Sequence, residues 1–340
     1  MRDPENTRSP SLTDLPAFLR TFANPGGDSA PMPFWMWNGA LDEREIRRQI
    51  GLMETAGVEA FVIHPREGLE TPYLSDQWFG MVKAAVAEAH ERRIKVWIYD
   101  ELNWPSGYAG GKLLEEDPAK CARHLARVTV EAGGKESLRH RLSPGEQLVA
   151  AFALGDGGII TAIAPEPVTQ AGLEQAPENA SSPSRESKIP PNAKISNDID
   201  FETHRIYSES GNTPTSFHTP IPETPQKTST PLRFTLPAGS TAIDLYISRP
   251  TSFSVTYRPG LRYTDLLDPE AVRLFISLVH ERYLRQLHDY FGTTVLGFFT
   301  DEPGFYNNLH GCDPDTVPWT AGFPDYFREL KGYDLLPRLG

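Results

Sequence analysis

The sequence predicts an α/β fold of the (β/α)8-barrel type, represented by its first four strands and carrying an inserted antiparallel β domain. Three observations predict it. Short apolar runs alternate with amphipathic helical stretches, the pattern of a parallel sheet with crossover helices. Each run stops on polar residues: Trp37-Asn38, His64-Pro65-Arg66, Asp100-Glu101 and Asp301-Glu302. Between the third run and the fourth, the helical period disappears and β-type segments take over.

The first strand is expected at Pro33 to Trp37, PFWMW. A helix follows, with Asp42 as its cap, Glu45 completing a capping box, Ile46, Ile50 and Met53 on its apolar face, and Gly57 just past its end. The second strand is Glu59 to Ile63. Ser75 caps the next helix, in which Trp78, Val82, Ala85 and Ala89 share a face. The third strand is Lys95 to Tyr99. After the insert, Asp268 caps a helix with Pro269 in its first turn, and Val272, Phe275, Val279, Tyr283, Leu287 and Tyr290 form a long stripe. Gly292 ends that helix, Val295 begins the fourth strand, and Phe323 to Leu330 starts a fourth helix.

The insert spans residues 121–259. Its expected strands are Leu125–Val130, Leu148–Leu154, Ile159–Ile163, Leu232–Leu236 and Ala242–Ile247, separated by glycine-rich turns. Inside it, residues 166–230 are dense in Pro, Ser, Thr, Asn and Glu, the composition of a poorly ordered excursion. The chain thus divides into an N-terminal tail (1–30), barrel strands 1–3 (31–120), the insert (121–259), and helix 3, strand 4 and the start of helix 4 (260–340). Eight units close a barrel. With four, the chain is truncated, completed by a partner, or built on an open sheet. No glycine-rich phosphate turn follows the first strand, which argues against a doubly wound nucleotide-binding sheet.

Bulk properties narrow the function. The 340 residues carry a formal net charge of −12, which disfavours nucleic acid or an anionic membrane as partner and is compatible with a neutral ligand such as a sugar. Only Cys121 and Cys312 are present, too few for a disulfide framework or a cysteine zinc site. The start lacks the basic and apolar segments of a signal peptide, and no apolar stretch is long enough to span a bilayer, so a cytoplasmic location is the default. Secretion stays open if translation begins upstream. Oligomeric state is not legible.

Chemistry in parallel α/β folds collects at the carboxyl ends of strands. There the sequence places Trp37, Asn38, His64, Arg66, Asn103 and Trp104 as substrate-binding candidates, because aromatic faces beside amides and charges suit a carbohydrate. Ordinary roles compete for each: Trp37 in the core, His64 as a structural hydrogen bonder, Asp100 as a loop cap. Glycoside hydrolysis needs a protonated carboxyl group and a second carboxylate. Glu302 is the candidate acid, because like charge at Asp301 and a partly dry barrel mouth are conditions that keep a proton on a carboxyl. The second carboxylate falls to Asp100, to Glu101 or to a residue on later strands. Two other classes compete. One is a non-catalytic carbohydrate-binding remnant; the other is a metal-dependent sugar isomerase using His64, Asp100 and Glu302.

PFWMWNGAL, EIRRQI, FVIHPREGL, YLSDQWF, KVWIYDELNWPSGYAGG, GFFTDEP and the later PWT together resemble large bacterial glycoside hydrolase-like proteins. They are most similar to relatives of glycoside hydrolase family 106, the α-L-rhamnosidases. The resemblance covers about Pro31 to Lys112 and Tyr263 onward. It implies a (β/α)8 catalytic domain with β insertions, appended β domains and a possible calcium requirement, with no calcium ligand assigned to any position. The Asp-Glu-Pro also resembles the Asn-Glu-Pro on the fourth strand of many retaining barrel glycosidases, where the glutamate is the acid/base. The rhamnosidase family is associated instead with inversion, so the stereochemistry stays open. Family members are usually much longer, and the polar stretch in the insert departs from their pattern.

Overall fold

The computed structural model describes residues 15–23, 31–166, 229–251, 262–304 and 316–340. Cys312, most of the tail and most of the polar excursion lie outside the described residues. The elements run α1 (Leu15–Ala23), β1 (Phe34–Gly39), α2 (Glu43–Thr55), β2 (Ala60–Leu69), α3 (Asp76–Glu91), β3 (Lys95–Tyr99) and α4 (Lys112–Glu116). The insert follows with β4 (Arg123–Glu131), β5 (Ser137–Leu142), β6 (Gln147–Gly155), β7 (Gly158–Ala162), β8 (Thr230–Thr235) and β9 (Ser240–Pro250). Then come α5 (Pro269–Leu278), α6 (His280–Leu287), β10 (Val295–Phe299), β11 (Val317–Trp319) and α7 (Phe323–Lys331).

Four strands form a parallel sheet in the order β1-β2-β3-β10. The register lines up Trp35, Ile63, Ile98 and Phe298 across it. These side chains face α2, α3, α5 and α6, joining a core with Ile46, Ile50, Trp78, Val82, Ala85, Phe275 and Tyr283. Trp78 Nε1 donates to the Tyr283 hydroxyl at 2.8 Å and ties α3 to α6 through that core. The opposite face is a layer of rings, with Tyr99 stacked between His64 and Phe299 and Phe34 edge-on to all three.

Helix starts follow the sequence closely. Asp42 accepts from the Glu45 N–H and Ser75 from the Trp78 N–H. The expected capping box is half made: the Glu45 carboxylate turns to Arg48 and Gln49 instead of back to the cap. The single helix expected after Asp268 is two. Val279, at φ −112 and ψ −77, breaks it between α5 and α6. The break leaves Val279 buried in the core and turns His280 toward β3.

The insert supplies a β5–β8 pair and four strands of a five-stranded antiparallel sheet, β11-β4-β9-β6-β7, to which β11 is added from beyond β10. Phe234, Ile243, Leu245 and Ile247 anchor a separate core with Leu138 and Leu142. Two of these strands escape the sequence reading. In β5 arginines occupy the outward positions of an otherwise alternating pattern, and in β11 a proline lies inside a three-residue edge strand. The insert leaves and rejoins the parallel layer at one place, where Ala122 bonds both Tyr263 and Thr251. Among the described residues, no helix is long and apolar enough to cross a membrane.

Candidate functional site

The carboxyl ends of the parallel strands form a connected rim. Asn38, exposed and one residue before the end of β1 at Gly39, lies beside Gly68. The Asn103 amide oxygen accepts the Glu67 N–H at 2.8 Å, and the Asn103 N–H donates to the Pro65 carbonyl at 3.1 Å. These bonds lace the β3 loop to the second half of β2. The Tyr99 hydroxyl then donates to Asp301 at 2.6 Å, joining β3 to β10. His64, Arg66, Tyr99 and Asp301 lie within electrostatic reach of one another.

Burial holds the His64 imidazole down at about 4, against the opposing pull of the Pro65 carbonyl, so this ring is neutral at physiological pH. Burial and the bond to Asp301 raise the Tyr99 phenol, which therefore stays a donor. Asp301 is half-buried and Glu302 is exposed. Glu302 has a φ of +43, a left-handed conformation that glutamate seldom adopts. Pro303 follows it and restricts that backbone further.

Asp100 and Glu101, the parallel pair on β3, behave differently. Both are fully buried. Glu101 accepts five backbone N–H bonds, from Leu102, Gly107, Tyr108, Ala109 and Gly110. The Pro-Ser-Gly-Tyr-Ala-Gly-Gly segment is thus a loop wound around one carboxyl group. Gly107 at φ +127 is required there, because a Cβ would stand 3.0 Å from both Tyr263 and Leu266. Burial pushes the Glu101 carboxyl up to about 8, with the N–H donors pulling the other way. Asp100 accepts from Ser106 Oγ at 2.6 Å, Thr300 Oγ1 at 2.6 Å and His280 Nε2 at 3.1 Å.

The structure therefore sorts the candidates. Asp301, Glu302, Asn38 and Arg66 stand at the open side of the rim, and Trp104 is half-buried on the loop after β3. His64 lies beneath it, in the ring layer. Trp37 packs against Trp35 and Trp78 in the helix-side core, 3% exposed, and is not presented at the rim. Asn103 ties the β3 loop to β2. Asp100 and Glu101 are filled by protein donors and have no open face toward a substrate. Four residues that the sequence did not single out carry the rim's connections: Tyr99, Ser106, His280 and Thr300. Only Tyr99 had a legible signal, its place at the end of a strand.

No family model matches the chain, and no curated protein matches it by sequence. Among solved structures it is similar to a rhamnosidase from Novosphingobium sp. PP1Y, with a TM-score of 0.48 and 14% identity. That match covers 97% of this chain and 42% of the other, so the chain spans less than half of its neighbour's length.

Proposed function

We propose that the chain is the first half of a (β/α)8 glycoside hydrolase, acting on rhamnose-containing or related glycosides, with Glu302 as general acid. The carrying observation is the contrast between the two acidic strand ends. Asp100 and Glu101 are buried and saturated, whereas Glu302 is exposed on a constrained turn beside an Asp301 fixed by Tyr99. A carboxyl held in place at the open end of a parallel strand is what proton donation to a leaving oxygen requires. Asn38, Arg66 and Trp104 are then the sugar-facing groups.

The second carboxylate does not come from β3. It belongs to strands that complete the barrel, for which the sheet leaves room. Phe34 and Met36, on the ring-layer face, are each 43% exposed, and Leu296 on β10 is 47% exposed. Parallel sheets are covered on both faces, and further strand–helix units packed on this surface would supply that cover. The boundaries at residues 30, 120 and 259 mark where the tail, the barrel half and the insert meet. The carbohydrate-binding remnant is the second reading, favoured by the same lack of a partner carboxylate. The isomerase reading is weaker, since Asp100 already has three protein donors. Among the described residues no three His, Cys, Asp or Glu side chains gather as metal ligands.

Glu302→Gln, made in a protein that carries the complete proposed barrel, tests the proposal. Turnover of alkyl glycosides, whose leaving oxygen needs a proton, should fall by about 10²–10⁴-fold, the usual contribution of a general acid, with the unfolding transition unchanged. Wild-type turnover in that variant would remove Glu302 from the chemistry.

A further inference from the structure

Burying a carboxylate costs free energy unless it is fully hydrogen-bonded, and a packed apolar residue would hold a strand end without that penalty. Asp100 is buried nonetheless, and its three donors converge from three elements. Ser106 comes from the β3 loop, His280 from the start of α6, and Thr300 from the residue just past β10. Ser106 extends the connection. Its Oγ accepts the Asp301 N–H at 2.9 Å while its own N–H donates to the Asp301 carbonyl at 2.7 Å.

Thr300 is therefore fixed by its side chain, and Asp301 by both backbone and side chain, immediately before the left-handed Glu302. Pro303 restricts the chain immediately after it. A glutamate keeps a φ of +43 only where its surroundings over-determine the backbone. Released from Asp100 and Ser106, residue 302 would relax to negative φ, and its carboxyl would swing away.

We propose that Asp100, acting through Thr300 and Ser106, is a positioning residue that sets the direction of the Glu302 carboxyl. The proposal rests on Glu302 being the acid. Asp100 touches no substrate. It decides where the proton donor stands.

Thr300→Val is the cleanest probe, because residue 300 is exposed and the change removes one hydroxyl at nearly constant volume. It should lower kcat by roughly ten- to a hundredfold, the cost of a misplaced catalytic group, with KM changed by less than about twofold. Thr300→Ser, which keeps the hydroxyl, should restore kcat to within about threefold of wild type. Ser106→Ala should reproduce the kcat loss and speed hydrogen exchange at the Asp301 amide. Normal kcat in Thr300→Val and Ser106→Ala, beside an inactive Glu302→Gln, would overturn the positioning role and leave the acid standing. An active Glu302→Gln would overturn both.

Discussion

Glu101 and Glu302 follow an aspartate at the ends of neighbouring strands, yet they do unlike work. Glu101 is a structural centre. Glu101→Gln keeps its shape but sets amide hydrogens against backbone N–H donors, so two or three bonds are lost at about 1 kcal/mol each, with a further cost for unsatisfied buried donors. Chemical denaturation should show a loss of about 2–4 kcal/mol, with faster hydrogen exchange across residues 102–110. Unchanged stability would contradict the five-bond cradle. His64 gives a pH signature. Its folded value of about 4 lies below the ordinary 6.5, so the unfolded chain binds more protons in that interval and stability falls as pH drops from 6.5 toward 4. His64→Phe should remove up to about 3 kcal/mol of that acid sensitivity. Equal pH slopes in the two proteins would exclude a buried neutral imidazole. The sequence could not separate the acidic pairs, because the donors around Glu101 come from a loop whose path is tertiary. Trp37 was more accessible: alternation along Phe34 to Asn38 puts Trp35 and Trp37 on one face and Phe34, Met36 and Asn38 on the other.

At the scale of elements, local chemistry was the best guide. Asp42, Ser75 and Asp268 cap the helices that their positions announce, and Lys95–Tyr99 and Val295–Phe299 are strands as their apolar runs require. The break at Val279 was hidden, because the apolar stripe runs on through both halves. The β3 loop is the element on which the site depends most. Gly107→Ala combines an unfavourable φ with contacts at 3.0 Å from the Tyr263 hydroxyl and Leu266, both part of a small cluster under the insert. A loss of about 1–3 kcal/mol in thermal or chemical unfolding is expected, with the loop displaced from Glu101. Full stability in that variant would show that the loop is free to take another path.

On the scale of the molecule, strand counting recovered the parallel sheet, because buried strands and amphipathic helices leave strong periodic signals. The insert was visible as a change of period. Its reach was not, since β11 joins β4 from far along the chain through a segment of three residues. The site was legible only as a set of strand ends; the bonds linking Asp100, Ser106, Thr300 and Asp301 depend on the closed register of β3 and β10. Phe34 and Met36 on the ring-layer face, and Phe323, Tyr326 and Leu330 on α7, are exposed apolar side chains. The proton transfer proposed for Glu302, to a departing glycosidic oxygen, is tested by comparing Glu302→Gln with wild type on glycosides of graded leaving-group acidity. The variant should lose about 10²–10⁴-fold on alkyl glycosides, whose leaving oxygen needs a proton, and little on dinitrophenyl glycosides, which need none. An equal loss on both series would contradict the acid assignment.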